Sequence, residues 1–281
     1  MVESLASWLA LREPADAAAR SASLTRRIAS EIERHGPVRI VDLGAGTGSN
    51  VRYLTNRLPR PQHWLLVDRD AALLEEARGH TSMAGAVETC EMNLGPVESL
   101  QICSGRHLVT ASALLDLVSW DWLEALAGRC RAAGAAALFA LTYDGRFECR
   151  PAEREDDGIR ALMNRHQQRS DKGFGAAAGP DAAVYAERAF AAAGYYVQRE
   201  RSDWILDPDA RDLQHRLIEG WARAAGEVGP EQSAMIASWT TRRLAHVEAG
   251  RSRIVVGHQD LIAWPRPTFE TRGDLVELHN R

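Results

Sequence analysis

The sequence lacks the features that mark several protein classes at first sight. Its 281 residues hold four cysteines, Cys90, Cys103, Cys130 and Cys149, and no two of them form a CxxC pair. Neither a metal site of the zinc type nor a dithiol redox motif is therefore expected, and the thiols read as reduced and buried in a cytoplasmic protein. Long apolar runs are missing as well. The most apolar stretch, Ala132–Leu141, is about half of a bilayer span and reads as a buried strand, so no membrane partner is expected. The N-terminus has no basic leader, and Glu3 stands where an export signal would carry Lys or Arg. Nor is the charge one-sided. Lys plus Arg number 34 against 38 Asp plus Glu, a net charge of −4, which gives no global attraction to nucleic acid. There are no repeats.

What is present is an alternation of strand and helix patterns. The first thirty-five residues read as helix, with Pro14 opening a second helix that carries Leu24, Ile28 and Ile32 at helical spacing. The β-branched run Val38–Leu43 reads as a strand buried on both faces. A glycine turn over 44–48 leads to a helix over Ser49–Leu58, a strand at Trp64–Val67, and a helix over Asp70–Arg78 stopped by Gly79. Further strands are expected at Val87–Met92, His107–Ala111 and Ala135–Thr142, with a helix over Asp121–Ala133. The rhythm breaks in the polar stretch 146–180. It resumes with a helix over Ala182–Ala193, a strand at Tyr195–Leu206, two helices within 207–250 and a last strand at Arg253–Trp264. This pattern predicts an α/β fold, a doubly wound and mostly parallel seven-stranded Rossmann-like sheet. Residues 1–36 would form a helical cap, and residues 37–281 one domain with insertions at about 146–180 and 207–250.

The most informative segment is Arg39–Asn50, RIVDLGAGTGSN. Gly44, Gly46 and Gly48 follow a buried strand and precede a helix, so a ligand can lie against the main chain beside unpaired N–H groups. A dinucleotide fold spaces its glycines GxGxxG and meets a pyrophosphate. Here the spacing is GxGxG, and Asp42 just before the turn would repel pyrophosphate but suit a cationic amino group. Asp68 ends the second strand, where a carboxylate can accept both hydrogen bonds of a ribose diol.

Together VDLGAGTG and the later LLVDRD resemble the first two motifs of the class I S-adenosylmethionine-dependent methyltransferases, over roughly Val38 to Tyr143. The resemblance implies S-adenosylmethionine as cofactor and S-adenosylhomocysteine as product. It implies that Asp42 faces the methionine amino group, that Gly44, Ala45 and Gly46 pack under the cofactor, and that Thr47, Gly48 and Asn50 shape the turn. Asp68 would hold the ribose, with Arg69, Asn93 and Leu94 around the adenine. Asn93 stands where that family often has an acid. Ser112 and Ala113, in the fourth motif, would line the sulfonium, and Arg12 or Arg20 would meet the methionine carboxylate.

The fourth motif, SALLD, is not the Asn/Asp-Pro-Pro-aromatic signature of base-amino methylation, and no cysteine follows a proline. A small-molecule acceptor, methylated at a hydroxyl, amine or carbon, is the expectation. Tyr143, Asp144 and His166 are the candidate catalytic groups, beside Asp116. The alternatives are a protein or RNA methyltransferase, a dinucleotide-dependent oxidoreductase, or a non-enzymatic cofactor-binding protein. The chain would be a monomer or homodimer.

Overall fold

The computed structural model describes residues 4–81, 85–169 and 171–267. Residue Glu3 and the ends of the expected 1–36 and 37–281 units lie partly outside the described residues. The chain opens with α1 (Leu5–Ala19) and α2 (Ala22–Ile32). Ser4 caps α1 by accepting the Ser7 N–H, and Ser21 caps α2 by accepting the Leu24 N–H. Pro14 does not open a helix as expected; it lies inside α1. The missing proline N–H removes one backbone bond, but Arg12 bonds both carboxylate oxygens of Asp16 across the gap. The break falls instead at Arg20, which is extended at φ −60° and ψ 140°.

There follow β1 (Val38–Leu43), α3 (Ser49–Leu54), β2 (Gln62–Asp68), α4 (Ala71–His80), β3 (Ala86–Glu91), β4 (Leu108–Ser112), α5 (Trp120–Ala133) and β5 (Ala136–Arg150). α3 is shorter than expected. α4 runs through Gly79 to His80, and Thr81 closes it, its hydroxyl donating to the Ala77 carbonyl. β5 also runs past its expected end at Thr142. The cause is β8 (Arg253–Pro265), which pairs with it antiparallel from Ala137↔Ala263 to Arg150↔Arg253. Between them lie α6 (Asp156–Arg169), α7 (Ala182–Ala192), β6 (Tyr195–Arg201), β7 (Trp204–Leu206), α8 (Arg211–Val228) and α9 (Ser233–Glu248). The single strand expected at Tyr195–Leu206 is thus two, because the chain bends at Ser202-Asp203; both pieces pair with β8.

The sheet order is β3-β2-β1-β4-β5-β8-β6, with β7 beside β8. β1 to β5 pair in parallel, and β8 is antiparallel to its neighbours. The fold is therefore the expected Rossmann-like α/β architecture, with an eighth short strand. α2 buries Leu24, Ile28 and Ile32 against one face of the sheet, and Trp122, Leu123 and Leu126 of α5 pack on the other. A third cluster joins the extended ends of β5 and β8 to α6, α8 and α9, and Trp8, Leu11 and Ala15 of α1 rest on it.

One buried ion pair ties α6 to α9. Arg243 is fully buried and donates through Nε and Nη2 to the two oxygens of Asp156, at 3.1 and 2.5 Å. Trp239 Nε1 donates to the same carboxylate, and Arg243 Nη1 reaches the Pro151 carbonyl. Removing one member strands a buried charge, so Arg243→Met should lower stability by about 3–5 kcal/mol in urea denaturation. A loss below about 1 kcal/mol would show that the pair does not hold the insertion.

Candidate active site

The carboxyl ends of β1, β2 and β4 open onto a cavity of about 380 Å³, roofed by α1 and by the loop that follows α6. Twelve of the residues expected to bind cofactor line it: Gly44, Ala45, Gly46, Thr47, Asn50, Asp68, Arg69, Asn93, Leu94, Ser112, Ala113 and Arg12. The remaining two, Asp42 and Gly48, are not among its lining residues.

The turn after β1 needs its glycines. Gly44, Gly46 and Gly48 have φ of 67°, 52° and 83°, in the left-handed region. A Cβ on Gly48 would come within 2.9 Å of the Thr81 side chain, and one on Gly46 within 3.0 Å of Leu9. Asp68 stiffens this turn: its Oδ2 accepts the Gly46 N–H at 2.9 Å, and its Oδ1 accepts the Asp70 N–H. At the end of β4, Ala113 is also left-handed, at φ 52°, an unfavourable state for a residue with a Cβ. That turn carries Ser112, Ala113 and Leu114 along the cavity wall.

Under the cavity floor runs a buried polar chain. Arg20 Nη1 donates to Asn50 Oδ1 at 2.6 Å, and Asn50 Nδ2 donates to Asp42 Oδ1 at 2.6 Å and to Thr110 Oγ1 at 3.1 Å. Asp42 Oδ2 is buried with no partner among the described residues. Burial pushes this carboxyl up to about 7, against the smaller opposing effects of Asn50 and Arg20. Arg20 is drawn down by its own burial, with Asp260 the charge that most offsets this. Asp260 in turn accepts the Ser21 N–H and the Leu141 N–H, each at 2.8 Å. The start of α2, the bulge in β5 and strand β8 are thereby pinned together.

A further wall of the cavity comes from α1. Arg12 and Asp16 form a two-bond ion pair there, Trp204 Nε1 donates to Asp16 Oδ1 at 3.0 Å, and the Arg12 guanidinium lies 4.9 Å from the Trp204 ring centroid. Burial raises Asp16 above the ordinary carboxylate range, and Arg12 partly opposes it. Because α1 is continuous, Trp8, Arg12 and Asp16 lie on one stripe. Asp16 was the residue that sequence reasoning left without a role. The spacing to Arg12 was visible, but its partner Trp204 is 188 residues away in the chain.

The three candidate catalytic groups are not brought to this cavity. Tyr143 is buried, and its hydroxyl donates to Asn164 Oδ1 at 2.9 Å. Asp144 is bound by Arg146. His166 faces Glu227 at 2.8 Å on α8. For Tyr143 and Asp144 the physical reason is the extension of β5, which turns what reads as a loop into strand; for His166 it is α6, which carries the ring to α8. Asp116 is buried behind the cavity and pushed by burial up to about 6. All four cysteines are free, and no cluster of three His, Cys, Asp or Glu suited to a metal ion occurs among the described residues. Nor does any helix there have the length and apolarity to cross a membrane.

Residues 40–134 match the model of a methyltransferase domain family. The chain thus carries a methyltransferase domain, and with it the enzyme class and the S-adenosylmethionine cofactor that the glycine turn and Asp68 imply. Among solved structures it is similar to a cyclopropane-fatty-acyl-phospholipid synthase-like protein of Lactobacillus casei ATCC 334, with 11% identity, a TM-score of 0.54, and coverage of 93% of this chain and 94% of that one. It is also similar to a candidate methyltransferase of Bacillus halodurans C-125, with 16% identity, a TM-score of 0.52, and coverage of 88% and 99%. These likenesses are of fold. No curated protein matches the chain in sequence.

The raised Asp42 makes a prediction about pH. The folded protein holds this carboxyl neutral up to about 7, while an unfolded chain ionises it near 3.9. Its contribution to stability is therefore full below about pH 4 and is lost as pH rises through 7. Asp42→Asn, neutral throughout, should raise Tm little at pH 4, progressively more up to about pH 7, and by a constant amount above. The same variant should weaken S-adenosylmethionine. A gain in Tm that does not change with pH would show that Asp42 ionises freely.

Proposed function

We propose that the enzyme methylates a small-molecule acceptor held between α1 and the loop over 171–176, with the cofactor lying on the glycine turn. The observation that carries this reading is the cavity itself. Its volume of about 380 Å³ falls within the range of small-molecule sites, and it gathers the cofactor residues on one side and an apolar wall of Leu5, Leu9, Leu117 and Phe174 on the other.

The residues fit the cofactor. The Asp42 oxygen without a partner among the described residues is one that a cationic amino group would compensate, and Arg20, whose Nε and Nη2 are likewise without partners there, sits at the same end for the carboxylate. Asp68 keeps lone pairs for a ribose diol beyond those given to Gly46 and Asp70. Asn93 gives its Oδ1 to the Gly95 N–H, which leaves its amide donors for the adenine. Arg12 marks the boundary between cofactor and acceptor.

The cofactor supplies a methyl group already activated by the sulfonium charge. What remains for the protein is alignment and exclusion of water. Ser112, Ala113 and Leu114 shape the wall on the methyl side. α1 covers the cavity, so residues 1–36 act as a cap on the domain that follows. Asp16, fixed by Arg12 and Trp204, is the carboxylate that this wall presents to the acceptor, and it orients the reacting group and takes its proton.

Calorimetric titration with S-adenosylmethionine, S-adenosylhomocysteine and NAD tests the cofactor placement. Both sulfur compounds should bind and NAD should not. Asp68→Ala should weaken S-adenosylhomocysteine by about 1–3 kcal/mol, and Asp68→Asn, which can still accept the Gly46 N–H, should lose less. Unchanged affinity in Asp68→Ala would place the ribose elsewhere. For the acceptor side, Asp16→Asn should lower kcat while S-adenosylhomocysteine affinity stays within about twofold; equal loss of both would make the residue structural.

A further inference from the structure

The charged residues that line the cavity are unevenly satisfied. Its three acids are each engaged by the chain: Asp16 by Arg12 and Trp204, Asp68 by the Gly46 and Asp70 N–H groups, and Asp70 by the Ala72 and Leu73 N–H groups. Of its three bases, Arg12 is paired with Asp16. Arg69 and Lys172, both exposed at the rim, have no ion pair or hydrogen bond to any side chain or carbonyl among the described residues. Lys172 is also the single lysine among the 34 basic residues of the chain. An ammonium is a compact point charge with three donors, chemically distinct from the guanidinium used everywhere else.

The loop that carries Lys172 is held firmly. Asp171 Oδ1 accepts the N–H groups of Gly173, Phe174 and Gly175, at 2.7, 3.1 and 3.0 Å. The Phe174 ring meets Trp122 edge-on, with centroids 5.7 Å apart. The Gly173 carbonyl packs so closely on Gly95 that a Cβ there would overlap it, and a Cβ on Gly173 would stand 3.9 Å from Arg69 Nη1. Lys172 and Arg69 therefore flank one stretch of rim from two different elements.

Two cations brought to one rim repel each other unless an anion lies between them. The cofactor does not supply it: its carboxylate belongs at the Asn50 and Arg20 end, and its adenosine carries no negative charge. We infer that Arg69 and Lys172 form an oxyanion subsite at the cavity rim, and that the methyl acceptor bears a carboxylate or phosphate group which docks there. The inference rests on the cofactor placement proposed above. The guanidinium offers a planar fork and the ammonium a movable donor, a combination suited to either oxyanion. Being exposed, the subsite is sensitive to ionic strength.

The single lysine makes a direct test possible. Reductive methylation with ¹³C-formaldehyde of the protein loaded with S-adenosylhomocysteine labels Lys172 and the α-amino group alone, and both keep their charge. Lys172→Arg assigns the two signals. Sodium phosphate and sodium acetate are then titrated separately at an ionic strength held constant with sodium chloride. The Lys172 signal should shift saturably with at least one of them, and Arg69→Gln should weaken that binding by about tenfold or more. Phosphate binding about tenfold or more tighter than acetate assigns a phosphorylated acceptor; acetate binding comparably or better assigns a carboxylate. Shifts no larger than those in chloride, or shifts unaffected by Arg69→Gln, overturn the subsite. S-adenosylhomocysteine affinity measured on the same samples separates the two layers: if that ligand does not bind, the cofactor placement fails, whatever the anions do.

Discussion

The structure depends on one buried polar chain, Arg20 to Asn50 to Asp42. It joins the junction of α1 and α2 to the turn between β1 and α3, by way of the first turn of α3 and the end of β1. Asp260 extends the chain by taking the Ser21 and Leu141 N–H groups, so the same set of charges also fixes the β5 bulge. A buried charge set of this kind contributes little net stability, but breaking it leaves an uncompensated ion. It therefore acts as a positional lock more than as a source of stability.

The lock also explains why the floor of the site is strained. Asp42 is buried with one oxygen unpartnered, and its carboxyl is pushed up to about 7. A group that is costly to ionise when the cavity holds no cation becomes favourable when a cation arrives. This is the usual exchange of stability for function at a binding site. The left-handed Ala113 beside it belongs to the same pattern, a backbone state tolerated where it shapes a wall.

The opposite side of the cavity is made by elements remote from the glycine turn. α1 buries none of its residues completely, yet it walls the cavity, because Trp204 and the cluster around α6, α8 and α9 support it from behind. The rim loop is held in a comparable way by Asp171, Trp122 and Gly95. The second insertion thus supports α1, while the rim loop rests on Trp122 and Gly95 of the core and the glycine turn on β1, Asp68 and Arg52.

This division decides what was legible in the sequence. The β1 run, the GxGxG turn and Asp68 are local: a buried strand, left-handed glycines and a strand-end acid lie within about thirty residues, so their chemistry could be read before their positions were known. Gly44, Ala45, Gly46, Thr47, Asn50, Asp68 and Arg69 line one cavity for that reason. Tyr143 and Asp144 stand where the sequence resembles a loop, and β8, more than one hundred residues later, makes that stretch strand; His166 instead lies on α6, turned to Glu227 of α8. Pro14 looked like a boundary, but side-chain bonds from Arg12 to Asp16 span it. The sequence by itself determined the cofactor and the sheet, because short-range patterns encode both. Only the tertiary structure decided that α1 and the loop over 171–176 line the same cavity as the glycine turn, because the meeting of Arg12, Asp16 and Lys172 with that turn depends on long-range packing that local periodicity does not carry.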